Sequence, residues 1–147
     1  MEIKKVVVIG SGTMGSGIAA HLCNANIPVT LLDLKTEISE QARDKIHKSR
    51  PPLLLDKSKI NNIKVGTILD NFDEVKEADW VVEAVVERID IKHDIYEKIF
   101  KERKKGAIVS SNTSSIPIKV LSEHLSEQEK KIFVLLTFLI QSDTWDY

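Results

Sequence analysis

Residues 5–15 read KVVVIGSGTMG, an apolar run that stops at a glycine and continues through a glycine-spaced loop. VVVI is short, β-branched and bounded by glycine, the form of a strand buried on both faces of a sheet. GTMGSGIAAHLCNAN follows, with Met14, Ile18, Leu22 and Ala25 near helical spacing, so the loop joins a strand to a helix. That context gives each glycine of GSGTMG (residues 10–15) a task. Gly10 permits the tight turn, Gly12 leaves room for a pyrophosphate to approach the backbone, and Gly15 lets the helix pack close on the strand. The helix N-terminus then presents free N–H groups and a positive dipole end to an anion. In isolation such a loop is also readable as a glycine-rich turn with no ligand. Strand, helix and an acidic residue at the end of the next strand together favour a dinucleotide site.

That acidic residue is Asp33, which closes PVTLLD (residues 28–33). A carboxylate there accepts both ribose hydroxyls and repels a 2′-phosphate, so the expected cofactor is NAD rather than NADP. Further along, apolar β-branched runs keep alternating with helical patterns. EISEQARDKIHKSR reads as a helix ended by Pro51 and Pro52, and LLLDKSKI as a second helix of the same insertion. IKVGTIL, DWVVEAV and AIVSSNT read as strands. Between Arg88 and Arg103 a helix carries the stripe Ile91, Ile95 and Ile99, with Tyr96 and Phe100 beside it. Pro117 suits the first turn of a short helix, and Ser126 with Glu129 has capping-box spacing. This alternation predicts an α/β fold, a parallel sheet with helices on both faces.

The 147 residues fit one domain with a real core, and 42% hydrophobic with 29% charged residues is the balance of a globular chain. A formal net charge of −1 gives no general pull toward nucleic acid or anionic membrane, and neither is expected as a partner. The single cysteine, Cys23, cannot close an intrachain disulfide, which fits a reducing cytoplasm. The four histidines stand far apart with no zinc-like spacing, so no metal site is expected. The apolar start is too short for a signal-peptide core, and the apolar run near the end is about half the ~20 residues of a membrane helix.

In a doubly wound sheet the ligand crevice lies off the carboxyl ends of the strands. Two of those ends carry polar clusters: VVEAVVERIDIK, with Glu83, Glu87 and Lys92, and SSNTSS, from Ser110 through Ser115 with Asn112 between. The hydroxyls and the amide at that rim could hold the nicotinamide side of the cofactor or a substrate oxygen. Plainer readings stand beside that one. Ser114 or Ser115 would cap the helix that Pro117 begins, and Glu87 with Lys92 would be an exposed ion pair at a helix start.

VVVIGSGTMGSGIAAHL, VVEAVVERIDIK and IVSSNTSSIPI, in this order, resemble the NAD-binding domain of the 3-hydroxyacyl-CoA dehydrogenases of fatty-acid β-oxidation, the bacterial multifunctional kind above all. The resemblance covers residues 3–131 and implies a Rossmann-type fold. It implies that Gly10, Gly12, Gly15 and Asp33 hold the adenosine and pyrophosphate of NAD. Glu87 and Lys92 would lie by the nicotinamide half, and Met14 is expected among the cofactor-binding residues. Ser114 would hydrogen-bond the 3-oxygen of the substrate as the catalytic residue of this chain, and Asn112 would shape that rim. The family's reaction is hydride transfer from C3 of an (S)-3-hydroxyacyl-CoA to NAD. Its base is a histidine in an HFFNP motif on the next strand, and a helical second domain completes the acyl-CoA cleft. On this reading the chain is expected to lack both. His124, in LSEHLSE, reads as a solvated helix residue and a poor substitute.

Where HFFNP would stand, the chain reads IFVLLTFLIQSDTWDY (residues 132–147). With permitted codon choices, the nucleotides for residues 132–145, read from the third base onward, spell a run containing HFFNP. The expectation is an NAD-binding domain over residues 1–131 followed by a frameshifted tail over residues 132–147. Its apolar run would either form the last strand or promote self-association. On this reading the chain binds NAD and is inactive alone. The alternatives are the NAD-binding domain of another 3-hydroxyacid dehydrogenase, or a non-catalytic NAD-sensing module.

Overall fold

The computed structural model describes residues 2–136. The first half runs β1 (Val6–Ile9), α1 (Thr13–Asn24), β2 (Val29–Asp33), α2 (Thr36–Lys48), a 3-10 helix (Lys57–Asn62) and β3 (Ile63–Thr67). A second 3-10 helix (Phe72–Glu77) leads to β4 (Trp80–Glu83), α3 (Ile89–Glu102), β5 (Ile108–Asn112), α4 (Ile118–Leu121), α5 (Glu127–Lys130) and β6 (Phe133–Leu136). The six strands form one sheet in the order β3-β2-β1-β4-β5-β6, with parallel pairing throughout. This is the doubly wound Rossmann arrangement. The chain leaves β1 toward β2 on one side and returns to β4 on the other, so the crevice between their carboxyl ends is the switch point where ligands bind in such sheets.

The period of two along each strand divides the core into two layers. Val6 and Val8 face α1 and α2, packing with Ile18, Leu22, Leu31, Ala42, Ile46 and Val82. Val7 and Ile9 face α3, packing with Leu32, Val81, Ile95, Tyr96, Ile99, Val109 and Phe133. All four residues of β1 are fully buried, as a strand covered on both faces requires. Cys23 is free and buried; burial pushes its thiol up to about 11, with Lys59 opposing part of that rise. Among the described residues no helix is long and apolar enough to cross a membrane.

The structure corrects several local expectations. LLLDKSKI is not an α-helix: Leu55 is exposed, and regular structure begins only with the 3-10 turn at Lys57, capped by the Asp56 carboxylate accepting from the Ser58 N–H. Pro117 stands at the N-cap, one position before a helix of four residues. On α3 the buried face is Lys92, Ile95, Tyr96 and Ile99, while Ile91 and Phe100 lie half-buried at its margins. His124 lies in the turn between α4 and α5, not on a helix. The capping box at Ser126 and Glu129 forms as its spacing predicts. Of the apolar run after Lys131, Phe133–Leu136 pair with β5 in register Val109↔Phe133 to Asn112↔Leu136; residues 137–147 lie outside the described residues.

Candidate active site: a dinucleotide crevice in two halves

The glycine loop is set by close backbone approach. Gly10 has φ +101, and a Cβ there would lie 2.4 Å from the Ala84 carbonyl oxygen on the neighbouring strand end. A Cβ on Gly15 would lie 1.9 Å from the Gly10 carbonyl oxygen. Both positions therefore exclude a side chain for reasons internal to the protein. Gly12 differs: a Cβ there would meet nothing within 4 Å. Its missing side chain leaves open space at the α1 N-terminus, where no side chain caps the helix and free N–H groups can take an anion.

Asp33 ends β2 half-buried beside this loop. Its Oδ2 accepts from the Ser11 amide at 2.7 Å and the Ser11 hydroxyl at 2.5 Å, and its Oδ1 accepts from the Leu34 amide at 2.7 Å. A cavity of about 750 Å³ opens here, walled by Gly10, Gly12 and Asp33 on one side and by Val85, Ile91 and Ile95 on the other. Past the loop a second cavity of about 440 Å³ is lined by Gly12, Met14, Glu87, Asn112 and Ser114. The two share Gly12, Thr13, Ala84, Val85 and Val86. Together they make one crevice across the β1–β4 switch point, bent around the glycine loop. An apolar-walled half bearing Asp33 meets a smaller half bearing Glu87, Asn112 and Ser114, with helix N–H groups at the bend. That is the sequence of surfaces an adenosine, a pyrophosphate and a nicotinamide riboside need, so the residues present fit NAD.

The far half rests on a buried polar network. Lys92 is fully buried, its ammonium 2.8 Å from Glu83 Oε1 and 3.1 Å from Glu87 Oε1. Glu83, also fully buried, accepts at Oε2 from the Tyr96 hydroxyl (2.7 Å) and the Ser111 hydroxyl (2.6 Å), and at Oε1 from the Val85 amide (2.8 Å). Glu87 accepts from Thr113 at 2.6 Å and Ser115 at 3.0 Å. Burial alone would raise the Glu87 carboxyl; hydrogen bonds from Thr113, Lys92 and Ser115 outweigh it and hold the group below its ordinary value. Burial, with the Glu83 charge beside it, pushes the Tyr96 phenol up, so it stays a donor.

These contacts overturn two of the plainer readings. Glu87 and Lys92 are not an exposed pair, because Lys92 lies beneath the rim with Glu83 as its nearer partner. Ser115 does not cap α4; it donates to Glu87, and the Ile116 amide goes to Thr113 Oγ1 at 3.2 Å. Ser114 stays exposed on the cavity wall. Glu83, Ser111 and Thr113 belong to the two polar clusters read from the sequence, but as rim groups and not as parts of a buried network, and Tyr96 is read there only as part of a helix face. The available signal was a glutamate inside the apolar run VVEAVV, which sheet periodicity puts in the interior, where a charge needs a partner.

The sequence model of the family described as "3-hydroxyacyl-CoA dehydrogenase, NAD binding domain" matches residues 5–139. The chain belongs to this family. Its cofactor is accordingly NAD. Over 144 residues it is 42% identical to a putative fatty acid oxidation complex trifunctional enzyme of Rickettsia felis, a match covering 93% of this chain and 20% of that one. Over 141 residues it is 42% identical to a probable 3-hydroxyacyl-CoA dehydrogenase of Deinococcus radiodurans, covering 91% and 41%. Among solved structures, 3-hydroxybutyryl-CoA dehydrogenase from Escherichia coli superposes with a TM-score of 0.81 at 25% identity, covering 94% of this chain and 30% of that chain. The chain thus spans about a fifth to two fifths of the curated relatives it matches.

Proposed function

We propose that this domain serves the oxidation of (S)-3-hydroxyacyl-CoA to 3-ketoacyl-CoA, and that the second cavity is where the reacting carbon meets the cofactor. The observation that carries this is the Ser114 hydroxyl, exposed on the same wall as Met14, Glu87 and Asn112. NAD supplies the hydride acceptor. The chain supplies position: Gly10, Gly12 and Gly15 shape the pyrophosphate turn, and Asp33 takes the adenosine ribose and disfavours a 2′-phosphate. Glu87 and Asn112 border the nicotinamide side, with Lys92 fixing Glu87 from below, and Ser114 donates to the 3-oxygen of the substrate.

The reaction also needs a base for the hydroxyl proton, a contribution of roughly 10²–10⁴-fold. None of the four histidines lines the second cavity. The chain by itself therefore binds NAD without turning over substrate, and acyl-CoA is a partner of the longer family members. Its place is the cytoplasm, on the reading of its one free thiol. Isotope-labelled chain saturated with NAD and given acetoacetyl-CoA should show amide shifts at Ser114 and its neighbours, with no NADH oxidation in the parallel assay. Shifts elsewhere, or clear turnover, would refute the assignment.

A further inference from the structure

On the outer flank of α3, away from the crevice, three side chains converge that no cofactor role uses. His93 comes from α3; Glu123 and His124 come from the turn after α4. One ligand atom from each lies within 4.8 Å of the others. His93 Nδ1 is 4.0 Å from Glu123 Oε1, and His124 Nε2 is 3.4 Å from the same oxygen. Both distances exceed the ~2.7–2.9 Å of a charge-assisted hydrogen bond, so the three groups surround a point rather than pair. The two imidazole rings meet edge to face at 4.4 Å.

The protonation pattern sharpens this. His93 Nε2 lies 2.9 Å from the Val120 carbonyl oxygen. A carbonyl can only accept, so Nε2 carries the hydrogen and Nδ1 of the neutral ring is a bare lone pair. That lone pair faces a carboxylate oxygen, another acceptor. Acceptor against acceptor is repulsive unless something positive lies between them. An imidazole that donates one ring N–H to a backbone carbonyl and keeps the lone pair of the other nitrogen free beside further ligand atoms is the usual arrangement of a metal-ligating histidine.

We propose that His93, Glu123 and His124 bind a zinc-class divalent cation through two imidazole nitrogens and one carboxylate oxygen. Two imidazoles favour zinc-like ions over magnesium or calcium. Tetrahedral zinc with bonds of ~2.0–2.1 Å separates adjacent ligand atoms by about 3.3 Å. The His124–Glu123 spacing already matches that edge. The remainder closes by side-chain rotation of Glu123 and His124, whose side chains are 52% and 70% exposed against the more rigid His93 at 15%. Three protein ligands leave the fourth position to water. Bound there, the ion ties α3 to the α4–α5 turn.

The test uses the full chain, stripped by chelator and titrated with zinc chloride against a chromogenic chelator, with magnesium as the control. Wild type should bind one zinc per chain at this site, and its Tm should rise with zinc but not with magnesium. His124→Ala removes an exposed side chain, so the variant should keep its fold and its NADH binding while zinc affinity falls roughly tenfold or more. Glu123→Gln should fall in the same direction. Equal zinc binding by wild type and both variants would place the ion elsewhere. No uptake by wild type in competition with the chelator would make the cluster a proton-sharing surface group. Either result overturns the proposal.

Discussion

At the β1 end of the crevice the loop is fixed by backbone packing, with Gly10 and Gly15 left no room for a side chain. At the β4–β5 end the lining is fixed by side-chain contacts, with a buried lysine bridging two glutamates. The first half tolerates no change at Gly10 or Gly15 because the constraint is steric. The second half is constrained by charge, because a buried ion that loses its partner is costly while a matched replacement of both is tolerated. The same crevice is thus rigid at one end by exclusion and at the other by mutual dependence.

The hardest blow to this contrast is Gly15→Ala. Its Cβ would sit 1.9 Å from a backbone oxygen, so we expect a loss above about 4 kcal/mol, seen as an unfolded or insoluble chain. Gly12→Ala, which meets no protein atom within 4 Å, should fold with near wild-type Tm and lose NADH affinity in a fluorescence titration. Equal behaviour of the two variants would break the distinction between a packing glycine and a ligand-facing one.

Lys92→Met comes next. It strands the buried Glu83 charge and should cost about 3–5 kcal/mol in denaturant unfolding. The second change Glu83→Gln should restore part of that loss, and strict additivity of the two would show that the pair is not coupled.

Asp33→Ala tests the first half by charge instead of shape. Hydrogen bonds to a charged group are worth about 1.5–3 kcal/mol, so NADH affinity should drop by roughly tenfold to a hundredfold, with NADP losing less. An equal loss for both cofactors would sink the assignment of Asp33.

The smallest effect is on acid stability. The folded Glu87 carboxyl lies below its ordinary value of 4.5, so the folded state binds its proton less readily than the unfolded chain does. Its stabilisation is complete above pH 4.5 and lost as pH falls below it. Wild type should therefore lose Tm between pH 5 and pH 3.5 more steeply than Glu87→Gln, by a margin reduced by the partial exposure of the group. Parallel curves would show that Glu87 is not held by its neighbours.

The legibility of the two halves follows the same line. Steric demands on glycine are local, so residues 5–15 disclosed strand, turn and helix, and Asp33 followed from the next strand end. The network around Lys92 depends on the ends of β4 and β5 and a helix meeting in space. Spacing alone could not distinguish a solvated Glu87–Lys92 pair from a lysine buried between Glu83 and a partly exposed Glu87; only the resemblance carried Glu87 and Lys92 into the site. The turn at residues 113–117 misled for a related reason: serines before a proline suit a cap, but Glu87, distant in sequence, captured Ser115. His93 and His124 lie on separate elements, and no pattern in one dimension could have joined them.

Ser11 gives the Asp33 carboxylate a fixed number of places to offer. A carboxylate has about four lone-pair sites, and three are engaged: one by the Leu34 amide, two by the amide and hydroxyl of Ser11. On the proposed reading the two ribose hydroxyls thus compete for a single vacant seat. The first can take it directly. The second needs the Ser11 hydroxyl to swing away, a one-bond rotation, while the Ser11 amide stays and keeps the carboxylate aimed. The loop carries its own placeholder for the sugar, and docking the adenosine half becomes an exchange of one hydroxyl for another.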